Sequence, residues 1–392
     1  TGVYGDVTIQ TPTGFTEYCD ITLNNCNISA NTVRGNTAYG VFLNCTSRPF
    51  TELYLRLDSI NNGWTHKDDG SGSYDLYKVI YPRGDRSVAA KATINGGTIK
   101  AKTDSLAFAY GVYVAGPTFG HYGGSSAACE LIAKNVTIEV NTETSSAYGI
   151  ITAGPATIDN VTATIKAKTT TACGIQSNYG KTTSTNTKLD VTAGTGTAYG
   201  YYGQVGISSN TSATTKVIPA GGPTVTIIPA YNYVQIRESE AELGVGNVFD
   251  VKTTTNNTAY GIFLNASKAN WNTDAYNNAK GEYAYAAKAT INGGKYTATA
   301  SGTTAYAACV ADPVLQGDAT ATPTLIINDG KFKGTAGAAP FADVSLAGEP
   351  GYFVLNGGYY VKDENLDKKL GEGMNKVAVN SGTPEYTEGY RW

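Results

Sequence analysis

Apolar and polar positions alternate along this chain in short, recurring runs. Ile28-Ser29-Ala30, Ile99-Lys100-Ala101, Ile138-Glu139-Val140, Leu189-Asp190-Val191 and Phe249-Asp250-Val251 all read apolar, polar, apolar. A period of two with β-branched residues predicts strands with one face buried. The turns beside them are Asn-Gly or Gly-Gly, as in Asn95-Gly96-Gly97, Asn292-Gly293-Gly294 and Asn356-Gly357-Gly358. Asn and Gly supply the positive φ values that a sharp corner requires. Beyond each corner a second strand begins, as in Tyr39-Gly40-Val41-Phe42-Leu43 and Tyr260-Gly261-Ile262-Phe263-Leu264.

These elements repeat. Ala38-Tyr39-Gly40 returns as Ala109-Tyr110-Gly111, Ala147-Tyr148-Gly149, Ala172-Cys173-Gly174, Ala198-Tyr199-Gly200, Ala259-Tyr260-Gly261 and Ala305-Tyr306-Ala307. The distance from the upstream apolar residue to this Tyr or Cys is always 10 or 11 residues, as from Ile28 to Tyr39, Ile138 to Tyr148 and Phe249 to Tyr260. The shortest periods are 25 residues (Ile138 to Ala163) and 26 residues (Ala163 to Leu189), suited to one coil of a three-sided parallel β-helix. Stacking equivalent coils places like residues above one another at about 4.8 Å, so the tyrosines should form a stacked column interrupted once, at Cys173. The pattern predicts an all-β, single-stranded parallel β-helix of about nine coils over residues 1–361, with a closing segment over 362–392. Long insertions at 44–88, 115–127, 202–243 and 266–285 all follow the Tyr-Gly strand and should emerge on one side.

Composition agrees with a rod built from strands: Gly 46, Tyr 28, one Met and 16% charged residues in 392. A net charge of -3 leaves no cation excess for a phosphate backbone, which argues against nucleic acid as a partner. No apolar run is long enough to span a bilayer, and no membrane insertion is expected. The chain opens on Thr1, as a processed or partial chain would. Its six cysteines are too scattered for a disulfide scaffold, and most read as small buried packing residues.

The coil pattern resembles right-handed parallel β-helix proteins of the pectate-lyase-like superfold, in particular large surface proteins of gut anaerobes built from Gly-Gly-Thr-Phe-type coils. Gly357-Gly358-Tyr359-Tyr360 with Asp363, Asn365-Leu366 and Leu370 resembles the closing module of such proteins. The resemblance implies a right-handed helix and a secreted or cell-surface location. It leaves function open, because that superfold carries lyases, hydrolases, phage spikes and adhesins.

The candidate chemistry is sparse. Asp190 and Asp250 occupy the same outward position on successive coils, with Glu139 in the column, Thr164 interrupting it and Lys166 and Lys252 alongside; a solvated charge ladder is the expectation. Only His66 and His121 are present, without a metal-ligand spacing or a nucleophile elbow. No catalytic residues, metal or cofactor are assigned, and an enzyme is not expected. The insertions carry aromatic residues among amides, a surface suited to sugars: Trp64, Tyr74, Tyr77, Trp271, Tyr276 and Tyr283 are the glycan-binding candidates. Arg83-Gly84-Asp85 is an adhesive tripeptide. Tyr4 and the alternating tail with Tyr386, Tyr390 and Trp392 are candidates for head-to-tail assembly by strand addition. The expected function is a non-catalytic extracellular structural or adhesive protein, a subunit of a head-to-tail surface polymer with an extracellular glycan or host surface as its partner. The alternative is a carbohydrate-binding protein or degenerate polysaccharide lyase.

Overall fold

A computed structural model describes residues 3–7, 19–33, 35–45, 90–104, 106–116, 118–119, 126–127, 129–211, 215–217, 225–227, 232–255, 257–271, 281–301, 304–335, 341–343, 352–360, 373, 375–378 and 388–391. Every regular element among them is a strand. Most of these strands join in one 25-stranded sheet system whose pairings are predominantly parallel.

The parallel pairings fall into three ladders, each made by the same segment of successive repeats. The first ladder holds the Tyr-Gly strands: Val3–Val7, Ala38–Cys45, Ala109–Val114, Ala147–Ala153, the start of Ala172–Thr185, Ala198–Gly203, Ala259–Leu264, Ala305–Val310 and Phe341–Asp343. The second runs through Cys19–Thr32, Ala90–Thr103, Glu130–Lys134, Ala156–Asp159, the end of Ala172–Thr185, Asn232–Leu243, Lys288–Ala300, Thr324–Gly334 and Tyr352–Leu355. The third links the apolar-polar-apolar strands, among them Thr137–Thr142, Thr162–Ala167, Lys188–Ala193 and Val248–Thr253. The insertions add antiparallel hairpins, Val205–Thr211 with Asn232–Glu238 and Ala266–Trp271 with Gly281–Ala286.

The corner between the second and third ladders is where chain chemistry is most exacting. Asn25, Asn135, Asn160 and Asn186 turn there with φ of 50°, 56°, 51° and 50°, Gly96 and Gly246 take the same position in other repeats, and Gly330 and Gly358 turn with positive φ one position later. Asn and Gly tolerate this left-handed backbone where a β-branched residue would clash. The amides also bond along the column: Asn160 Nδ2 donates to Asn135 Oδ1 at 2.6 Å and Asn356 Nδ2 to Asn328 Oδ1 at 2.9 Å.

Between the ladders lies one continuous core. Ala38, Ala109, Ala147, Ala172, Ala198, Ala259 and Ala305 are all fully buried, facing Ile138, Ile165, Leu189 and Phe249 from the third ladder. In the last repeats this core becomes aromatic, with Tyr296, Phe332 and Tyr360 stacked at centroid spacings of 5.3 and 5.4 Å. Two of these phenols are satisfied locally, Tyr296 donating to Gly293 O at 2.9 Å and Tyr360 to Gly357 O at 2.5 Å. Glu388–Arg391 closes the third ladder by pairing antiparallel to Gly358–Tyr360, while its other edge pairs with Asn375–Ala378.

In the first strand Val3 pairs with Val41 and Tyr4 with Phe42. One reading of the sequence needs qualification. The cysteines are not uniformly free packing residues. Cys129 is disulfide-bonded, whereas Cys173 and Cys309 are buried and Cys26 is half-buried, none of these three in a disulfide. Scattered spacing in sequence does not prevent pairing when stacking brings distant segments within disulfide reach.

Candidate interaction face

The first ladder carries two rows of outward side chains, and the sequence reading identified only one. The first row is Tyr39, Tyr110, Tyr148, Cys173, Tyr199, Tyr260 and Tyr306, matched rung by rung. Its rings stack as expected: Tyr39 on Tyr110 at 5.0 Å and 11°, Tyr110 on Tyr148 at 5.2 Å and 16°, Tyr199 on Tyr260 at 5.3 Å and 9°. The second row, three residues later, is Phe42, Tyr113, Ile151, Gln176, Tyr202, Phe263 and Cys309. Phe42 stacks on Tyr113 at 5.4 Å, and Tyr199 on Tyr202 across the rows at 5.0 Å.

Strict alternation would send residues three apart to opposite faces. The glycine between the rows breaks it. Gly149 lies against the next repeat so closely that an added Cβ would fall 2.6 Å from Gly174 O and 3.0 Å from Ile165 Cδ1. This contact and the missing pairing at Gly149 mark a local offset, after which the second row again points outward.

None of these fourteen positions carries a charge, and three of them, Ile151, Cys173 and Cys309, are buried. The rings are partly exposed, and burial raises the phenol of Tyr260 to about 12 and also raises those of Tyr148 and Tyr306. The adjoining corner of two early repeats is apolar as well: Val33, Leu106 and Phe108 are 65%, 84% and 42% exposed. Phe108 reaches Tyr110 and Tyr148 at ring distances of 6.1 and 6.4 Å.

The other two ladders present charged outer faces. Lys91 pairs with Glu130 at 3.2 Å, Lys100 with Glu139 at 2.9 Å and Lys181 with Glu242 at 2.8 Å, all between stacked strands. Asp190 and Asp250 are register neighbours, separated from Glu139 by Thr164, and Lys252 Nζ lies 2.7 Å from Asp250 Oδ2. Its hydrogen bond to Asp250 raises the Lys252 amine. Among the described residues no three His, Cys, Asp or Glu side chains gather as a metal site would.

Of the glycan candidates, Trp271 and Tyr283 lie on one hairpin, Trp271 opposite Gly281 and Tyr283 opposite Ala269. Trp64, Tyr74, Tyr77, Tyr276 and the Arg83-Gly84-Asp85 tripeptide lie outside the described residues, as do Tyr386 and Trp392. Tyr390 sits in the closing strand, opposite Gly358 on one edge and Lys376 on the other. That strand therefore has no edge left for addition to a partner while it stays in place. A further hairpin, Val314–Gln316 with Ala319–Ala321, escaped the sequence reading; Lys268 Nζ donates to Leu315 O at 3.1 Å, so it meets the preceding hairpin. No protein-family model, curated protein or solved structure matches the chain.

Proposed function

We propose that the three ladders wind as a single-stranded right-handed parallel β-helix of about nine coils, similar to the pectate-lyase-like surface repeat proteins, and that the chain serves as a non-catalytic structural or adhesive protein outside the cell. The observation that carries this reading is the register itself. From Ser29 through Lys100, Glu139, Thr164, Asp190, Asp250 and Thr297 to Lys333, one outward position is repeated strand upon strand. Such quasi-one-dimensional stacking makes a stiff display surface with stability summed along the axis. Two of its three carboxylates, Glu139 and Asp250, are paired with Lys100 and Lys252 of the same surface.

The test is biochemical. Purified chain incubated with acidic polysaccharides is expected to yield no unsaturated or reducing-end products, and microscopy of native material should place it in surface assemblies. Depolymerisation that Asp190→Ala abolishes would overturn the reading in favour of a polysaccharide lyase or hydrolase.

A further inference from the structure

We infer that the uncharged face of the first ladder is an interface for a second copy of this chain, the two rods packing side by side and antiparallel about a two-fold axis through the Cys173–Gln176 rung. This rests on the ladder register and not on the structural reading above.

Three observations lead to it. First, the face has the size and character of a contact surface. Seven rungs, from Tyr39 to Tyr306, at about 4.8 Å make a strip about 29 Å long, with ring centroids of the two rows 4.8 to 5.0 Å apart. Two such strips with their ring widths would bury on the order of 600–900 Å², in the range of weak, reversible interfaces. Val33, Leu106 and Phe108 extend the apolar surface at one end. Charge depletion beside two densely charged faces is the compositional mark of an interface core.

Second, the ring faces are already used. Interplanar angles of 11°, 16° and 9° mean that Tyr39, Tyr110, Tyr148, Tyr199 and Tyr260 lie plate upon plate along the ladder and present ring edges outward, while the phenols of Tyr148, Tyr199 and Tyr260 bond to Ser146, Thr197 and Thr258. A sugar needs an open ring face for stacking, whereas another row of ring edges can interdigitate with this one. The second copy is therefore the occupant that the geometry favours over a glycan.

Third, the face is nearly symmetric end to end. Three tyrosines precede Cys173 in the first row and three follow it. An isologous contact requires that residue i meet residue j while j meets i. With the axis lying along the Cys173–Gln176 strand, Tyr148 meets the partner's Tyr199, Tyr110 the partner's Tyr260 and Tyr39 the partner's Tyr306. Gln176 then meets its own copy. Its amide donates to Asn178 Oδ1 at 2.8 Å and to Gln204 Oε1 at 2.9 Å, which holds the side chain at the centre of the face.

Sedimentation velocity of the full chain over a concentration series tests this. The wild-type chain is expected to form a dimer that dissociates on dilution. Gln176→Glu and Gln176→Lys each bring like charges together at the axis and should remain monomeric, while an equimolar mixture of the two should recover the dimer. Should either position-176 variant alter the far-UV spectrum, Leu106→Lys, on a side chain 84% exposed, carries the test and should weaken association. A wild-type chain monomeric at every concentration overturns the proposal, whether residues 46–89 or a glycan prove to cover the face. So does association undiminished in the folded charge variants, or a mixture that fails to recover it.

Discussion

Single residues decide whether one repeat can rest on the next. Gly149 is the clearest case, since a methyl group there meets the Gly174 carbonyl and Ile165 of neighbouring repeats. Gly149→Ala should lower stability by about 1–3 kcal/mol in chemical denaturation, the usual range for overpacking a tight core. The Asn corners separate backbone from side-chain effects. Asn160→Gly keeps the left-handed turn and loses only the bond to Asn135, a loss of about 1 kcal/mol; Asn160→Ala should cost about 1 kcal/mol more, because alanine resists φ of 51°. The tyrosine row gives a pH dependence. Burial lifts the Tyr260 phenol to about 12, whereas an unfolded phenol ionises near about 10. The native state thus keeps a proton that the unfolded chain has released, so this stabilisation is complete below about pH 10 and is lost as pH rises through about 12. Alkaline titration followed by tyrosinate absorbance and circular dichroism should show ionisation and unfolding in that window. Tyrosinate forming near 10 without loss of structure would contradict the buried, stacked row. The alternation and the corner residues were legible in the sequence; the Asn-to-Asn bonds were not, because they join residues 25 or more apart.

At the scale of elements, the three ladders differ in what they show to solvent. The charged ladders use exposed pairs whose worth is small: Lys252 and Asp250 are 44% and 43% exposed. Asp250→Asn should therefore change stability by under about 1 kcal/mol, measured by denaturant unfolding at low and at moderate salt. A loss several times larger would assign this carboxylate a role beyond a solvated pair. Sequence reasoning placed Asp190, Asp250, Glu139 and Thr164 in one column because a period of two needs no structural knowledge to extend. It missed the second aromatic row because the glycine offset breaks that period between Tyr39 and Phe42. The hairpin at 314–321 was missed for another reason: its strands of three residues each are too short to carry a pattern.

The molecule as a whole is organised by rung number instead of by distance along the chain. Lys100 and Thr164 stand two rungs apart over 64 residues, while Asp190 and Asp250 stand one rung apart over 60, because insertions lengthen the chain without adding rungs. Repetition made this legible, and the insertions, which have no counterpart in other repeats, kept the glycan and adhesive candidates beyond what pattern alone could place. Pulsed electron-spin distance measurement tests the rung-based account directly, with labels on the outward column in a background in which every cysteine outside a disulfide is replaced. Lys100 to Asp250 spans four rungs and Ser29 to Lys333 seven, so at about 4.8 Å per rung backbone separations of about 19 Å and about 34 Å are predicted. Distances that grow with rung number along this column would support a single stacked rod. A Ser29 to Lys333 separation no longer than that of Lys100 to Asp250 would contradict it.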